Sequence, residues 1–307
     1  MKLIYFGTAH FALPTLRAMA EHVALVVTQP DRPSGRGMRL QPTPVMQLAQ
    51  ELELPAISPE RCRAPEVVEQ LRSLEADALL VAAYGQILSV DVLESAMRGG
   101  INLHGSILPM YRGAAPIQRA VFNQESETGV SLMQMDRGMD TGDVIDICRT
   151  PIGSDETYGE LQDRLAVMAA DMATAWMPRI VAGDYPRKPQ NSDMATLAPK
   201  IEKSEGVLSV AHPVRKEYAK FRAFSPAPGA TLMTVHGPLK LIRVRATDES
   251  VPIGTVVREG GEWRLGFATG SLVLLDVQPA GKRPMPFGDV ANGWRLNSGD
   301  LLANAIP

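Results

Sequence analysis

The chain has 307 residues, 45% of them hydrophobic and 21% charged, with a net charge of −3. That is the balance of a globular protein long enough for two domains. No apolar run approaches the roughly 18–20 residues of a bilayer span, and Cys62 and Cys148 lack the C-x-x-C spacing of a disulfide framework or zinc site.

The first 189 residues alternate β-type and helical patterns. The opening Met1-Lys2-Leu3-Ile4-Tyr5-Phe6-Gly7 has no cleavage pattern behind it and reads as the start of a strand, Lys2–Thr8, rather than as a secretion signal. A helix follows at Ala12–Glu21, a strand at Val23–Thr28 and a helix at Thr43–Glu53, with Thr43 as cap and Pro44 at its first position. Pro65–Glu75 is helical, and the apolar run Ala78–Tyr84 is a strand buried on both faces. Further strands are expected at Gly100–His104, Gly129–Met135 and Asp143–Cys148, and helices at Val90–Met97, Ala115–Asn123 and Tyr158–Val181. This βαβ rhythm predicts an α/β fold built on a doubly wound, mostly parallel sheet.

The polar, proline-bearing stretch around Asp184–Asn191 breaks the pattern, and residues 190–206 are expected to be a linker. Beyond a helix at Val210–Phe224, short strands dominate: Thr231–Val235, Leu239–Arg245, Gly254–Val257, Trp263–Phe267 and Ser271–Val277. Glycine-bearing turns separate them, so residues 207–307 are expected to form a small β-barrel of the OB-like kind. Residues 200–307 carry 14 Lys and Arg against 10 Asp and Glu, a net of +4, which leaves 17 against 24, or −7, for residues 1–199. A basic smaller part is compatible with a nucleic-acid partner, although an excess this small also arises by chance.

Chemistry is most legible in Asn102-Leu103-His104-Gly105-Ser106-Ile107-Leu108-Pro109 together with Asp140-Thr141-Gly142-Asp143. Positions two apart in a strand face the same side, so Asn102 and His104 point together, at the strand end where doubly wound sheets place ligands. A lone histidine is usually just a satisfied buried side chain. An amide two residues before it and a carboxylate in a glycine turn make acyl transfer without a metal the competing reading. Spacing alone does not rank Asp140 against Asp143. The first strand–helix turn lacks G-x-G-x-x-G and the chain lacks G-x-x-x-x-G-K-[ST], which argues against dehydrogenases and P-loop enzymes. Gln29–Leu40, with Arg32, Arg36 and Arg39, suits a mobile cationic loop able to meet a polyanion, although composition alone favours a plain solvated surface loop.

These motifs, with Tyr111-Arg112-Gly113-Ala114-Ala115-Pro116-Ile117-Gln118, Met133-Gln134-Met135-Asp136 and Gln278-Pro279-Ala280-Gly281-Lys282, resemble the 10-formyltetrahydrofolate-dependent formyltransferases over nearly the whole chain. Within that family the likeness is to the members that formylate methionine on initiator tRNA. The resemblance implies a catalytic set of Asn102, His104 and Asp140. It places folate against Ser106, Ile107, Leu108 and Pro109 and against Tyr84, Gly85, Gln86 and Ile87. It gives tRNA contacts to Arg32, Arg36, Arg39 and Lys282. It implies 10-formyltetrahydrofolate as formyl donor, initiator methionyl-tRNA as acceptor, no metal, no membrane, a monomer and a cytoplasmic location. Two departures stand out: Met38 where relatives often carry lysine, and no tryptophan within Ser225-Pro226-Ala227-Pro228. Competing readings are formyl transfer to another amine, such as an amino sugar nucleotide or a glycinamide ribonucleotide, a related hydrolase that releases formate, and a non-catalytic RNA binder.

Overall fold

The computed structural model describes residues 1–34 and 39–305. Contacts divide the chain into two units that do not follow chain order. The first holds Met1–Pro116, Glu127–Pro151 and Gln162–Lys200, and the second holds Ile117–Ser126, Ile152–Leu161 and Ile201–Pro307.

The first unit is built on the strands β1 (Leu3–Gly7), β2 (Val23–Val27), β5 (Ala56–Ile57), β6 (Ala78–Ala82), β7 (Gly100–His104), β8 (Glu127–Gln134) and β9 (Val144–Pro151). Their order is β5-β2-β1-β6-β7-β8-β9. The first five run parallel, and β8 and β9 are added antiparallel. Every residue of β1, β6 and β7 is buried, as a parallel sheet covered on both faces requires. β3 (Arg32–Ser34) and β4 (Arg39–Gln41) form a separate antiparallel pair. This pairing falls within and just beyond the segment Gln29–Leu40 expected to be a cationic loop.

Helix α1 (Leu13–Met19) follows β1. α2 (Pro44–Glu51) begins as its sequence predicts: Thr43 Oγ1 accepts from the Met46 N–H at 3.1 Å, and Pro44 fills the first position. α3 (Pro65–Ser73) turns Val67, Val68 and Leu71 into a core with Ile4, Phe6, Leu79 and Val81. α4 covers only Val90–Leu93, not the expected Val90–Met97. Beyond it the backbone leaves the helix to pair elsewhere, Met97 N–H with Ala76 O and Arg98 N–H with Asp77 O. α5 (Pro116–Phe122) precedes β8.

α6 (Tyr158–Ala182) is long and apolar enough, by length and composition alone, to cross a membrane, although Asp163, Arg164, Asp171 and Arg179 interrupt its apolar runs. Its Leu165, Ala169, Ala173, Met177 and Ile180 are buried at intervals of three and four, the stripe of a helix packed on a core. Trp176 Nε1 donates to Asp146 Oδ2 of β9 at 2.8 Å.

In the second unit, α7 (Val214–Phe224) starts at Val214, not Val210, because Pro213 pushes the residue before it out of helical geometry. The strands β10 (Val207–Leu208), β11 (Ala230–Thr234), β12 (Gly237–Thr247), β13 (Val256–Glu259), β14 (Glu262–Gly266), β15 (Ser271–Pro279) and β16 (Met285–Pro286) follow. Their order is β10-β11-β12-β15-β14-β13, with β16 on β15. Among the described residues no pairing joins the edge strands β10 and β13, so the sheet is open where a barrel was expected. Leu232, Leu241, Leu265, Leu272, Val277 and Phe287 share its core. α8 (Phe287–Trp294) seals that core with Phe287, Val290 and Ala291.

Candidate active site

β7 carries Asn102 and His104 into contact with one carboxylate. Asn102 Nδ2 lies 3.5 Å from Asp140 Oδ1, and His104 Nδ1 lies 3.6 Å from Asp140 Oδ2. These distances sit at or beyond the limit of a hydrogen bond, so both groups face the carboxylate without being locked to it. Asn102 is 8% exposed and His104 6%. Polar groups so far from bulk water interact more strongly than they would at the surface.

The imidazole is oriented from its far side. His104 Nε2 lies 2.9 Å from the Tyr111 carbonyl. A carbonyl can only accept, so Nε2 carries a proton and Nδ1 is the nitrogen turned to Asp140. Tyr111 sits at φ 61°, and its N–H donates to Thr196 Oγ1 at 2.9 Å.

The Asp140 turn explains its own composition. Asp140 has φ 54°, a left-handed conformation that Asp tolerates better than most residues. A Cβ at Gly142 would collide with the Gln134 carbonyl, so only glycine fits there. Of the two aspartates that spacing left unranked, Asp140 faces the amide and imidazole, whereas Asp143 Oδ2 accepts from Arg187 Nε at 3.1 Å.

The eight residues expected to touch folate lie on two loops, after β6 and after β7. Tyr84 is buried edge-on against Phe6, ring centroids 5.1 Å apart. Its carbonyl accepts from Thr8 Oγ1 and Gln29 Nε2, each at 2.8 Å. Burial pushes the Tyr84 hydroxyl and the neighbouring Cys62 thiol above their ordinary pKa values. Gly85 and Ile87 are exposed and Gln86 is half-buried; Gln86 Oε1 accepts from the Cys62 N–H at 3.3 Å. Ser106, Ile107 and Leu108 are buried and Pro109 is half-buried. The Ser106 hydroxyl is already committed to the Met110 carbonyl at 2.7 Å. A cavity of about 370 Å³ is lined by Val90, Leu93, Met97, Gln134, Met135 and Asp136 among others, and by none of those eight.

Of the residues expected to touch tRNA, Arg32 is exposed and its Nη2 donates to Gln29 Oε1 at 2.8 Å. Arg36 and Met38 lie outside the described residues, as does the side chain of Arg39. Lys282 is exposed in the second unit, and its carbonyl accepts from Gln278 Nε2 at 2.8 Å.

Tyr111, Gly113 and Thr196 had no role assigned from sequence. Gly113 donates its N–H to Asp140 Oδ2 at 2.8 Å. A Cβ there would stand 2.9 Å from the Ala198 carbonyl, at φ +123°. A glycine after an arginine was the sole local signal. Thr196, 85 residues from Tyr111, had none.

The formyl transferase family model matches residues 1–180, and the model for the formyl transferase C-terminal domain matches residues 200–295. A protein of Symbiobacterium thermophilum named methionyl-tRNA formyltransferase is 44% identical, over 97% of this chain and 94% of its own length. A protein of the same name from Geobacter sulfurreducens is 38% identical, over 99% and 98%. An N-formyltransferase from Helicobacter canadensis, solved with folinic acid and dTDP-3-aminofucose, matches with a TM-score of 0.62 at 17% identity, over 89% of this chain and 98% of that one. That likeness speaks for the fold. The chain belongs to the formyltransferase family, among relatives that carry the name methionyl-tRNA formyltransferase.

Proposed function

We propose that this protein transfers the formyl group of 10-formyltetrahydrofolate to the α-amino group of methionine on initiator methionyl-tRNA, using Asn102, His104 and Asp140. The observation that carries the site assignment is the approach of Asn102 Nδ2 and His104 Nδ1 to within 3.6 Å of the Asp140 carboxylate, at the end of β7. The relatives' shared name supports the acceptor.

The neutral α-amine attacks the formyl carbon, and the carbonyl oxygen becomes an oxyanion. Asn102 Nδ2–H and His104 Nδ1–H, the latter on a doubly protonated ring, turn from their loose approach to Asp140 and donate to that oxygen. Such donors act strongly where water is excluded, and losing one typically costs about 10²–10³ in rate. Asp140 stabilises the imidazolium and helps carry the proton given up by the amine. The bond from the formyl carbon to folate N10 then breaks and N10 takes that proton, so atoms and charge balance.

Further parts of the reading rest on resemblance. Residues 1–189 are the catalytic domain, 190–206 the linker and 207–307 an OB-like RNA-binding domain, whose open, mostly antiparallel sheet suits the partly open form of that fold. The folate lies against Ser106, Ile107, Leu108 and Pro109 and against Tyr84, Gly85, Gln86 and Ile87, on the loops after β7 and β6. Arg32, Arg36, Arg39 and Lys282 meet tRNA phosphates. The protein acts as a cytoplasmic monomer.

The test offers 10-formyltetrahydrofolate with charged initiator tRNA, an amino sugar nucleotide, glycinamide ribonucleotide or water as acceptor. Formyl transfer to the tRNA amine alone is expected. Preferential transfer to a small amine, or release of formate, contradicts the reading.

A further inference from the structure

Residues 188–198, which include the start of the segment expected to link the two domains, are stitched into the first unit. Val144 and Lys188 exchange both backbone hydrogen bonds at 2.9 Å. The Arg112 N–H donates to Thr196 O at 2.9 Å, and the Ala198 N–H donates back to Arg112 O at 2.7 Å. From this segment two side chains reach the backbone that sets the catalytic groups.

Gln190 uses its whole amide. Its Oε1 accepts from Arg112 Nε at 3.1 Å and Nη2 at 2.8 Å. Its Nε2 donates to Asp140 O at 2.9 Å and to Gly142 O at 2.7 Å. It thereby ties the Asp140 and Gly142 carbonyls to the guanidinium of Arg112, which is 7% exposed. Thr196 Oγ1 accepts from the Tyr111 N–H at 2.9 Å, and the Tyr111 carbonyl is the group 2.9 Å from His104 Nε2.

The two backbone positions so held are the left-handed ones, Tyr111 at φ 61° and Asp140 at φ 54°. Residues in such conformations persist only where their surroundings over-determine them. Here the extra determinant comes in each case from a side chain between residues 190 and 196. Without Gln190, two carbonyls of the Asp140 turn lose their donors and the carboxylate is free to move from Asn102 and His104. Without the Thr196 hydroxyl, the partly buried Tyr111 N–H loses this acceptor, and the Tyr111 peptide that orients the imidazole loses that anchor.

We propose that Gln190 and Thr196 are positioning residues for formyl transfer, Gln190 acting on Asp140 and Thr196 acting on His104 through Tyr111. This rests on the catalytic reading of Asp140 and His104 given above.

Gln190→Glu keeps an acceptor for Arg112, removes both N–H donors and turns an oxygen toward two carbonyls. Thr196→Val keeps the shape and removes the acceptor, while Thr196→Ser restores it. Each variant is measured for kcat and KM with both substrates, for pH–rate profile and for thermal midpoint, beside Asp140→Asn. Small misplacements of reacting groups cost up to about 10²-fold, so Gln190→Glu and Thr196→Val are expected to lose between about 10- and 10²-fold in kcat. Both KM values should stay within about threefold, the pattern of a lost transition-state contact. Thr196→Ser should recover most of the turnover, and the pH–rate profile should move in Thr196→Val but not in Thr196→Ser.

Wild-type kcat in Gln190→Glu and Thr196→Val overturns the inference, as does a loss confined to KM or one that follows the fall in thermal midpoint. If Asp140→Asn is inactive while those two variants are active, the inference alone fails. Wild-type turnover in Asp140→Asn overturns the inference together with the catalytic reading beneath it.

Discussion

Gly113 gives its backbone N–H to Asp140 Oδ2 at 2.8 Å, and that same oxygen lies 3.6 Å from His104 Nδ1. One oxygen is thus fixed by the main chain on one side and turned toward the imidazole on the other. The carboxylate cannot rotate away from His104 without giving up a charge-assisted hydrogen bond.

Gly113→Ala places a methyl group 2.9 Å from the Ala198 carbonyl, at a backbone φ of +123° that side chains disfavour. The peptide must turn, and the Asp140 contact goes with it. Steady-state formylation is expected to show kcat reduced by about 10-fold or more, and a lower thermal midpoint is expected as well. Unchanged kcat would mean that the backbone donor does not set the carboxylate.

Asn102→Ala removes one of the two oxyanion donors and is expected to lose about 10²–10³ in kcat with little change in KM. Asn102→Asp is expected to be worse, because it sets a second carboxylate against Asp140 and against the developing negative charge. Pre-steady-state formylation compares the two variants directly.

Arg119 reaches Glu205 with two hydrogen bonds, one of them at 3.0 Å and the other at 2.6 Å. That contact first, and the Glu202 N–H as well, hold the Glu205 carboxyl below its ordinary value of 4.5 against a smaller opposing effect of burial. A lowered carboxyl pKa gives stability that is present above the unfolded value and lost as pH falls through the folded one. Glu205→Gln is therefore expected to lower the thermal midpoint at neutral pH. The gap from wild type should close as pH drops below the carboxylate range. A gap that stays constant from neutral to acid pH would rule out this ion pair as its source.

Substituting Arg32, Arg36 or Arg39 by alanine is expected to raise KM for the tRNA and leave kcat unchanged. If each arginine meets a phosphate, the slope of log affinity against log salt should fall by about 0.7–0.9 per residue replaced. An unchanged slope would place these side chains away from the phosphates.

Much of the site was legible because its signals are local. Asn102 and His104 fall on one side of a strand by simple alternation, and Thr43-Pro44 announces a helix start through cap chemistry. Asp140 was legible only with a resemblance, since a left-handed aspartate and an ordinary turn share the same residues. What stayed hidden depends on distant partners. Thr196 meets Tyr111, and Gln190 meets Asp140 50 residues away, from a polar stretch that carries no periodicity. α8 was missed because Pro286, Gly288 and Gly293 read as breakers, yet burial of Phe287, Val290 and Ala291 overrides weak propensity. The Val90 helix was overextended because nothing local shows that Met97 and Arg98 pair with Ala76 and Asp77.

The most direct test is formyl transfer from 10-formyltetrahydrofolate to initiator methionyl-tRNA by His104→Ala. Folate binding and thermal unfolding are followed on the same samples. The expected result is a folded, folate-binding protein whose transfer activity is lost. Wild-type turnover in that variant would contradict the assignment of the imidazole, and with it the site at the end of β7.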